Sequence, residues 1–131
     1  MIVVDASALV ELLLRTDRGT AVERRCADAE GGVHAPHLVD VEVLSALRRV
    51  LLAKEVDRAR AELAIAVFDD LRLRRWSHAP LRTRIWRLRA SLSAYDAAYV
   101  ALAERLGCPL VTCDGRLARS NGHDVDVDLL P

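Results

Sequence analysis

The sequence predicts an α/β fold, a parallel sheet of four to five strands with helices on both faces. Three observations carry this. Short apolar, β-branched runs alternate with helical stretches along the whole chain, which is the pattern of repeated βα units. The 131 residues are 52% hydrophobic and 29% charged, enough for one real core and too few for two domains. No linker, repeat or low-complexity stretch divides them, so residues 1–131 are read as a single domain.

The elements follow in order. Ile2-Val3-Val4 is a short buried strand. Asp5 then caps a helix from Ala6 to Leu14. Thr16 to Thr20 reads as a loop. A second helix runs from Thr20 to Glu30, ended by Gly31-Gly32. Val33-His34-Ala35 is a second strand, stopped by Pro36. From Leu38 to Lys54 a long helix carries Val39, Val43, Ala46, Leu47 and Val50 on one face. Asp57 to Leu71 repeats that pattern with Ala61, Ala64, Ile65 and Phe68. Leu73 to Trp76 is a third strand, and Pro80 to Ala90 a helix with proline near its start. After a break at Ser91-Leu92-Ser93, Ala94 to Leu106 is a helix closed by Gly107. Pro109 to Thr112 is a fourth strand, Asp114 to Ser120 a short helix, and Val125 to Leu129 a last strand.

Composition removes several functions. Five aromatic residues are too few for a protein that stacks bases on a row of rings. Net charge is zero, so no global field draws the chain to nucleic acid or membrane, and any polyanion site must be local. Cys26, Cys108 and Cys113 form an odd set without a Cys-x-x-Cys pair. That argues against a zinc site or disulfide framework and for a reducing compartment. Asp5 interrupts the first apolar run, no basic leader precedes it, and no segment is apolar enough to span a bilayer. A cytoplasmic location without membrane contact is the expectation.

Ligand sites of open α/β sheets lie at the carboxyl ends of the strands. Asp5 ends the first strand, Asp114 follows the fourth, and Asp96 opens the helix that feeds the fourth. Glu42 lies one turn into the long helix, at the border of its apolar stripe. Each acid also has a purely structural reading. Asp5 and Asp114 are competent helix caps, Ser93 and Asp96 have capping-box spacing, and Glu42 can be a solvated flank. Their convergence on one edge favours chemistry. Asp5 and Asp96 sit in apolar contexts with no adjacent basic residue, so the charges would repel and raise one another's pKa. A divalent cation resolves that conflict, and oxygen donors without His or Cys suit Mg²⁺, with Mn²⁺ also plausible.

The opening Val-Val-Asp-Ala-Ser, the helix from Glu42 to Arg49, the stretch from Tyr95 to Ala103 and Leu110-Val-Thr-Cys-Asp114 together resemble the PIN-domain ribonucleases. Their order, spacing and length are most similar to the VapC toxins of bacterial toxin–antitoxin pairs. The resemblance covers nearly the whole chain. It implies a three-layer α/β/α fold with strand order 3-2-1-4-5. It implies an Mg²⁺-dependent endoribonuclease that cleaves RNA phosphodiester bonds with metal-activated water. Asp5, Glu42, Asp96 and Asp114 match the family's acids, and Ser7 and Thr112 match its small hydroxyl residues. In this reading Asp5 and Asp96 bind the ion most directly, Asp114 is a ligand or water holder, and Glu42 orients the water or relays its proton. A VapB-like antitoxin and a homodimer are the partners implied, with the leucines at 12–14 and 51–52 as surface for either. Many relatives carry a further acid after the fourth. Here Gly115, Arg116, Leu117, Ala118 and Arg119 follow instead, which leaves a second metal in question.

One electrostatic feature remains. Residues 72 to 89 hold seven arginines and no acid, interleaved with Trp76 and Trp86. Arg82, Arg84 and Arg87 are therefore candidates to grip RNA phosphates beside the acids. A receiver-like phospho-acceptor would need a lysine at the end of a late strand, and the only lysine, Lys54, lies on a helix. A phosphatase of the haloacid-dehalogenase type would need an Asp where Ser7 stands. A non-catalytic RNA- or protein-binding module on the same fold is the third reading, and turnover separates it from an enzyme.

Overall fold

The computed structural model describes all residues, 1–131. Five parallel strands form one sheet: β1 (Ile2–Val4), β2 (Val33–Pro36), β3 (Leu73–Trp76), β4 (Leu110–Thr112) and β5 (Val127–Leu129). Their order is β3-β2-β1-β4-β5, as expected. The chain therefore reverses its direction of winding at β1, and a crevice opens beyond β1 and β4 at the carboxyl edge.

Seven helices flank the sheet: α1 (Ala6–Leu13), α2 (Asp17–Ala27), α3 (Leu38–Leu52), α4 (Arg58–Asp70), α5 (Arg82–Arg87), α6 (Ala94–Leu106) and α7 (Gly115–Ala118). α1 packs against α2, α3 and α4, whereas α6 packs across β1, β2 and β4 and against α5. The seven consecutive residues from Ala97 to Ala103 are all buried. An all-round apolar helix belongs in the interior, and this one places its first turn at the carboxyl edge. Ile2, Val3, Val4, Leu9, Val39, Val43, Leu102, Leu110 and Val111 form the centre of the core. No helix is long and apolar enough to cross a membrane.

Three expected boundaries are corrected. The second helix begins at Asp17, not Thr20, because the Thr16 hydroxyl caps it by accepting from the Gly19 N–H at 3.1 Å. Gly19 looks like a breaker, yet it lets α2 cross α1 closely: a Cβ there would lie 2.1 Å from the Glu11 carbonyl oxygen. The helix expected from Pro80 to Ala90 divides into a single 3₁₀ turn, Ala79–Leu81, and the six-residue α5. The last strand starts at Val127 rather than Val125. Of the leucines expected on the surface, Leu13 is core and Leu52 is 62% exposed.

Candidate active site

Only three buried residues are polar or charged: Asp5, His34 and Thr112. His34 is structural. Its ring lies between the Gly31 carbonyl oxygen, 2.9 Å away, and the Trp76 indole N–H, which donates to it at 3.1 Å. Asp5 and Thr112 meet at the carboxyl edge.

Asp5 leaves β1 and caps α1. Its Oδ1 accepts from the Ala8 N–H at 2.9 Å and the Ser7 hydroxyl at 2.7 Å, and its Oδ2 from the Thr112 hydroxyl at 2.5 Å. Ser7 and Thr112 also brace the neighbouring loop. Ser7 Oγ accepts from the Cys113 N–H at 3.0 Å, and Thr112 Oγ1 from the Asp114 N–H at 2.9 Å. Two strand ends far apart in sequence are thus tied into one rim. The expected supporting residues occupy the expected place.

The other three acids arrive on separate elements. Asp114 caps α7 and accepts from the Arg116 backbone N–H at 2.8 Å and the Arg116 guanidinium at 3.0 Å. Asp96 stands in the first turn of α6, its N–H capped by Ser93 at 3.1 Å. Glu42 points from α3 and accepts from the Tyr99 hydroxyl at 2.7 Å. All four acids line one pocket of about 360 Å³, together with Ser7, Tyr99 and Arg116.

The electrostatics are uneven. Burial raises the Asp5 carboxyl above its ordinary range, its three hydrogen bonds oppose this, and Asp114 adds to it. Burial also raises Glu42, with a contribution from Asp96, and raises Asp96, with a contribution from Asp114. Asp114 alone is lowered, chiefly by its hydrogen bond from Arg116. The pocket holds more negative charge than Arg116 offsets. Burial and the Glu42 carboxylate hold the Tyr99 phenol far above its ordinary range, so it stays a neutral donor.

Tyr99 and Arg116 are site residues that sequence reasoning did not assign. The signal for Tyr99 was present. It lies three residues after Asp96, and that spacing places both on one helix face. In the sequence Arg116 is only one of the residues standing where a fifth acid would be. In the structure it is one of two arginines lining the pocket, with Arg49, and the one that pairs with a site acid.

The acids supply oxygen donors only, which suits Mg²⁺ or Mn²⁺. Asp5, Asp96 and Asp114 all line this pocket and are the residues that would hold such an ion. The donor set fits an ion that keeps most of its waters and takes one or two carboxylates, as Mg²⁺ commonly does.

The arginine-rich stretch does not act as one surface. Arg84 is committed to Glu104 through two bonds of 2.7 Å and to the Gly122 carbonyl oxygen at 3.1 Å. Those partners lie by the amino end of β4, so the expectation of Arg84 beside the acids is corrected. Arg82 and Arg87 are exposed on α5, and neither lines the acidic pocket. Arg75 pairs with Asp40 at 2.7 Å, and Arg74 and Arg89 lie over the Trp76 and Trp86 rings.

Comparison with known proteins agrees with this geometry. The PIN domain family matches residues 2–122. The chain is 45% identical over 130 residues to "Ribonuclease VapC12" of Mycobacterium tuberculosis, covering 99% of each protein. It is 42% identical over 131 residues to "Ribonuclease VapC9" of the same species, covering 100% of this chain and 99% of that one. Among solved structures it resembles PAE2754 from Pyrobaculum aerophilum, with a TM-score of 0.68, 28% identity, and coverage of 97% of this chain and 82% of that one. It shares its fold with Mycobacterium tuberculosis VapC20, at a TM-score of 0.66, 20% identity, and coverage of 90% and 93%. With the strand order, the four acids on one edge and these full-length matches, the chain belongs to the PIN-domain family, in its VapC group.

Proposed function

We propose that this chain is an Mg²⁺-dependent endoribonuclease and the toxin of a toxin–antitoxin pair. One observation carries the reading. Four carboxylates from distant parts of the sequence line one pocket at the switch point of the sheet, and three are raised by burial and by one another. Relatives matched along their whole length are named ribonucleases, which supports RNA as the substrate.

A bound Mg²⁺ supplies charge for a phosphate oxygen and makes water acidic enough to attack in line. Asp5 and Asp96 would hold it. Ser7, Thr112 and the Ala8 N–H fix the Asp5 carboxylate in one orientation, so it needs no reorganisation on binding. Tyr99 fixes Glu42 from the opposite side. Glu42, half-buried and with its pKa raised chiefly by burial, is suited to accept and pass on a proton. Asp114, held ionised by Arg116, orders water at the rim.

The solved VapBC2 complex from Rickettsia felis, which shares this fold at a TM-score of 0.64 and 14% identity over the full length of both chains, was determined bound to a promoter DNA fragment. A VapB-like antitoxin as partner, a homodimer, and action in the cytoplasm belong to the same proposal. Val41, Leu44 and Leu52 are exposed on α3 and offer apolar surface for either protein contact. The test is purified protein with total RNA, with and without Mg²⁺, followed by sequencing of the cut ends. Mg²⁺-dependent cuts at defined positions support the reading. Intact RNA under both conditions leaves the non-catalytic binding module.

A further inference from the structure

The acidic pocket does not end at Asp96. Its wall there, formed by Asp96 and Arg116, continues into a second cavity of about 390 Å³ between the start of α6 and the short α7. Ser91, Ser93, Arg119, Ser120 and Asn121 line the rest of it. The change in chemistry along this path is abrupt. The first cavity carries Asp5, Glu11, Glu42, Asp96 and Asp114. In the second, Asp96 at the shared mouth is the only carboxylate.

Arg119 is the distinctive residue of this groove. It is exposed, and it takes part in none of the ion pairs of the molecule. Its guanidinium folds back over the beginning of α7. A Cβ on Gly115 would lie 2.9 Å from Arg119 Nη1, so the glycine after Asp114 leaves room for this position. Arg116 differs, because its guanidinium already pairs with Asp114. The groove thus holds one engaged and one unengaged guanidinium, in sequence from the acids outward.

We propose that this groove is the track for the RNA strand beside the cut, with Arg119 gripping a phosphate next to the scissile one. The inference rests on the reading of the acidic pocket as an RNA-cutting centre. A strand whose scissile phosphate sits over the acids has further phosphates on either side. The chain has zero net charge, so it offers them no long-range attraction, and the carboxylates repel them. Continuity with the pocket, loss of acids and an unpaired arginine coincide on the α6–α7 side. The planar guanidinium fits two phosphate oxygens at once, without reading base identity. This places the phosphate contact at the end of α7 rather than on α5.

The test is fluorescence anisotropy of a short unstructured RNA oligonucleotide over a salt series, with Ca²⁺ in place of Mg²⁺ to load the acids and block turnover. The proteins are the wild type, Arg119→Gln, Arg119→Lys and Arg105→Gln. Arg105 is exposed in the last turn of α6, at the opposite edge, and serves as the control. Arg119→Gln should weaken binding roughly three- to tenfold at low salt and reduce the salt slope by about 0.7. Arg119→Lys should keep the slope, and Arg105→Gln should match wild type. Wild-type protein that cuts RNA, with Arg119→Gln binding RNA as wild type does, overturns the groove alone. The groove then belongs to a partner protein or to solvent. Wild-type protein that neither cuts nor binds RNA overturns the catalytic reading and the groove with it.

Discussion

The two edges of the sheet both gather charged groups and hold them differently. At the amino edge lies the larger cavity, about 800 Å³, lined by Arg84, Glu104, His123, Asp124 and Asp126 among others. Arg84 and Glu104 pair there through two bonds of 2.7 Å, and Asp124 and Asp126 add two further acids at its wall. His123 is engaged as well, through Ser120 at 2.8 Å and the Val125 N–H at 3.3 Å. The pocket at the carboxyl edge has less than half that volume, and burial, with a smaller contribution from neighbouring acids, raises the pKa of Asp5, Glu42 and Asp96. Cavity size does not locate the chemistry here. Burial of acids beside one another does, because a group held away from its preferred state is one that a ligand can relieve.

The largest effect that sharpens this contrast is on cleavage. Asp5→Asn or Asp96→Asn should lower metal-dependent RNA cleavage about a hundredfold or more. Asn at position 5 can still cap α1, so circular dichroism should show the fold retained. Glu42→Gln and Asp114→Asn should lower single-turnover rates by roughly ten- to a hundredfold, with a smaller change in RNA affinity. Near-normal activity in Asp96→Asn would reduce that residue to a capping role.

Next in size is the converse experiment at the amino edge. Glu104→Gln removes the partner of Arg84 and should cost about 1 kcal/mol of stability, read by denaturant unfolding. Its cleavage rate should match wild type. If Glu104→Gln loses activity without losing stability, the two edges are not separate in function.

How far the sequence foretold each edge follows the same division. The parallel sheet, α6 with its apolar Tyr-Asp-Ala-Ala-Tyr-Val run, and the four acids were legible, because the acids lie at strand ends or in the first turns of helices, where periodicity and caps mark the place. The strand order, and Ser7 and Thr112 as supporting residues, followed only from the resemblance to the PIN-domain ribonucleases. The arginines were not. Side-chain pairing across 20 residues, as between Arg84 and Glu104, leaves no local pattern. Seven arginines in a row of residues look like one surface until α5 and β3 turn them in different directions. Gly19 failed for a related reason, since a glycine that permits helix crossing looks locally like a helix break.

A smaller effect is the pH dependence of stability without metal. Asp5, Glu42 and Asp96 have folded pKa values above their ordinary ones. Their contribution is present at low pH and is lost as pH rises through those raised values. Asp114 has the opposite sign: its pairing with Arg116 stabilises above the ordinary carboxylate range and is lost on acidification. The three raised groups act in the same direction, so in EDTA their contribution to Tm should fall as pH rises from about 4 towards neutrality. Asp5→Asn should flatten that fall, and Mg²⁺ should reverse it by binding the folded state. A Tm that rises through this range in EDTA would mean the acids are already compensated.

The carboxyl edge is short of positive charge, and a divalent ion is expected to supply it. Isothermal titration of Mg²⁺ into wild type, Asp5→Asn and Glu104→Gln tests this without any substrate. Wild type and Glu104→Gln should bind with the same affinity, and Asp5→Asn should bind at least about tenfold more weakly. Equal binding by Asp5→Asn and wild type, or no binding by wild type at millimolar Mg²⁺, would contradict it.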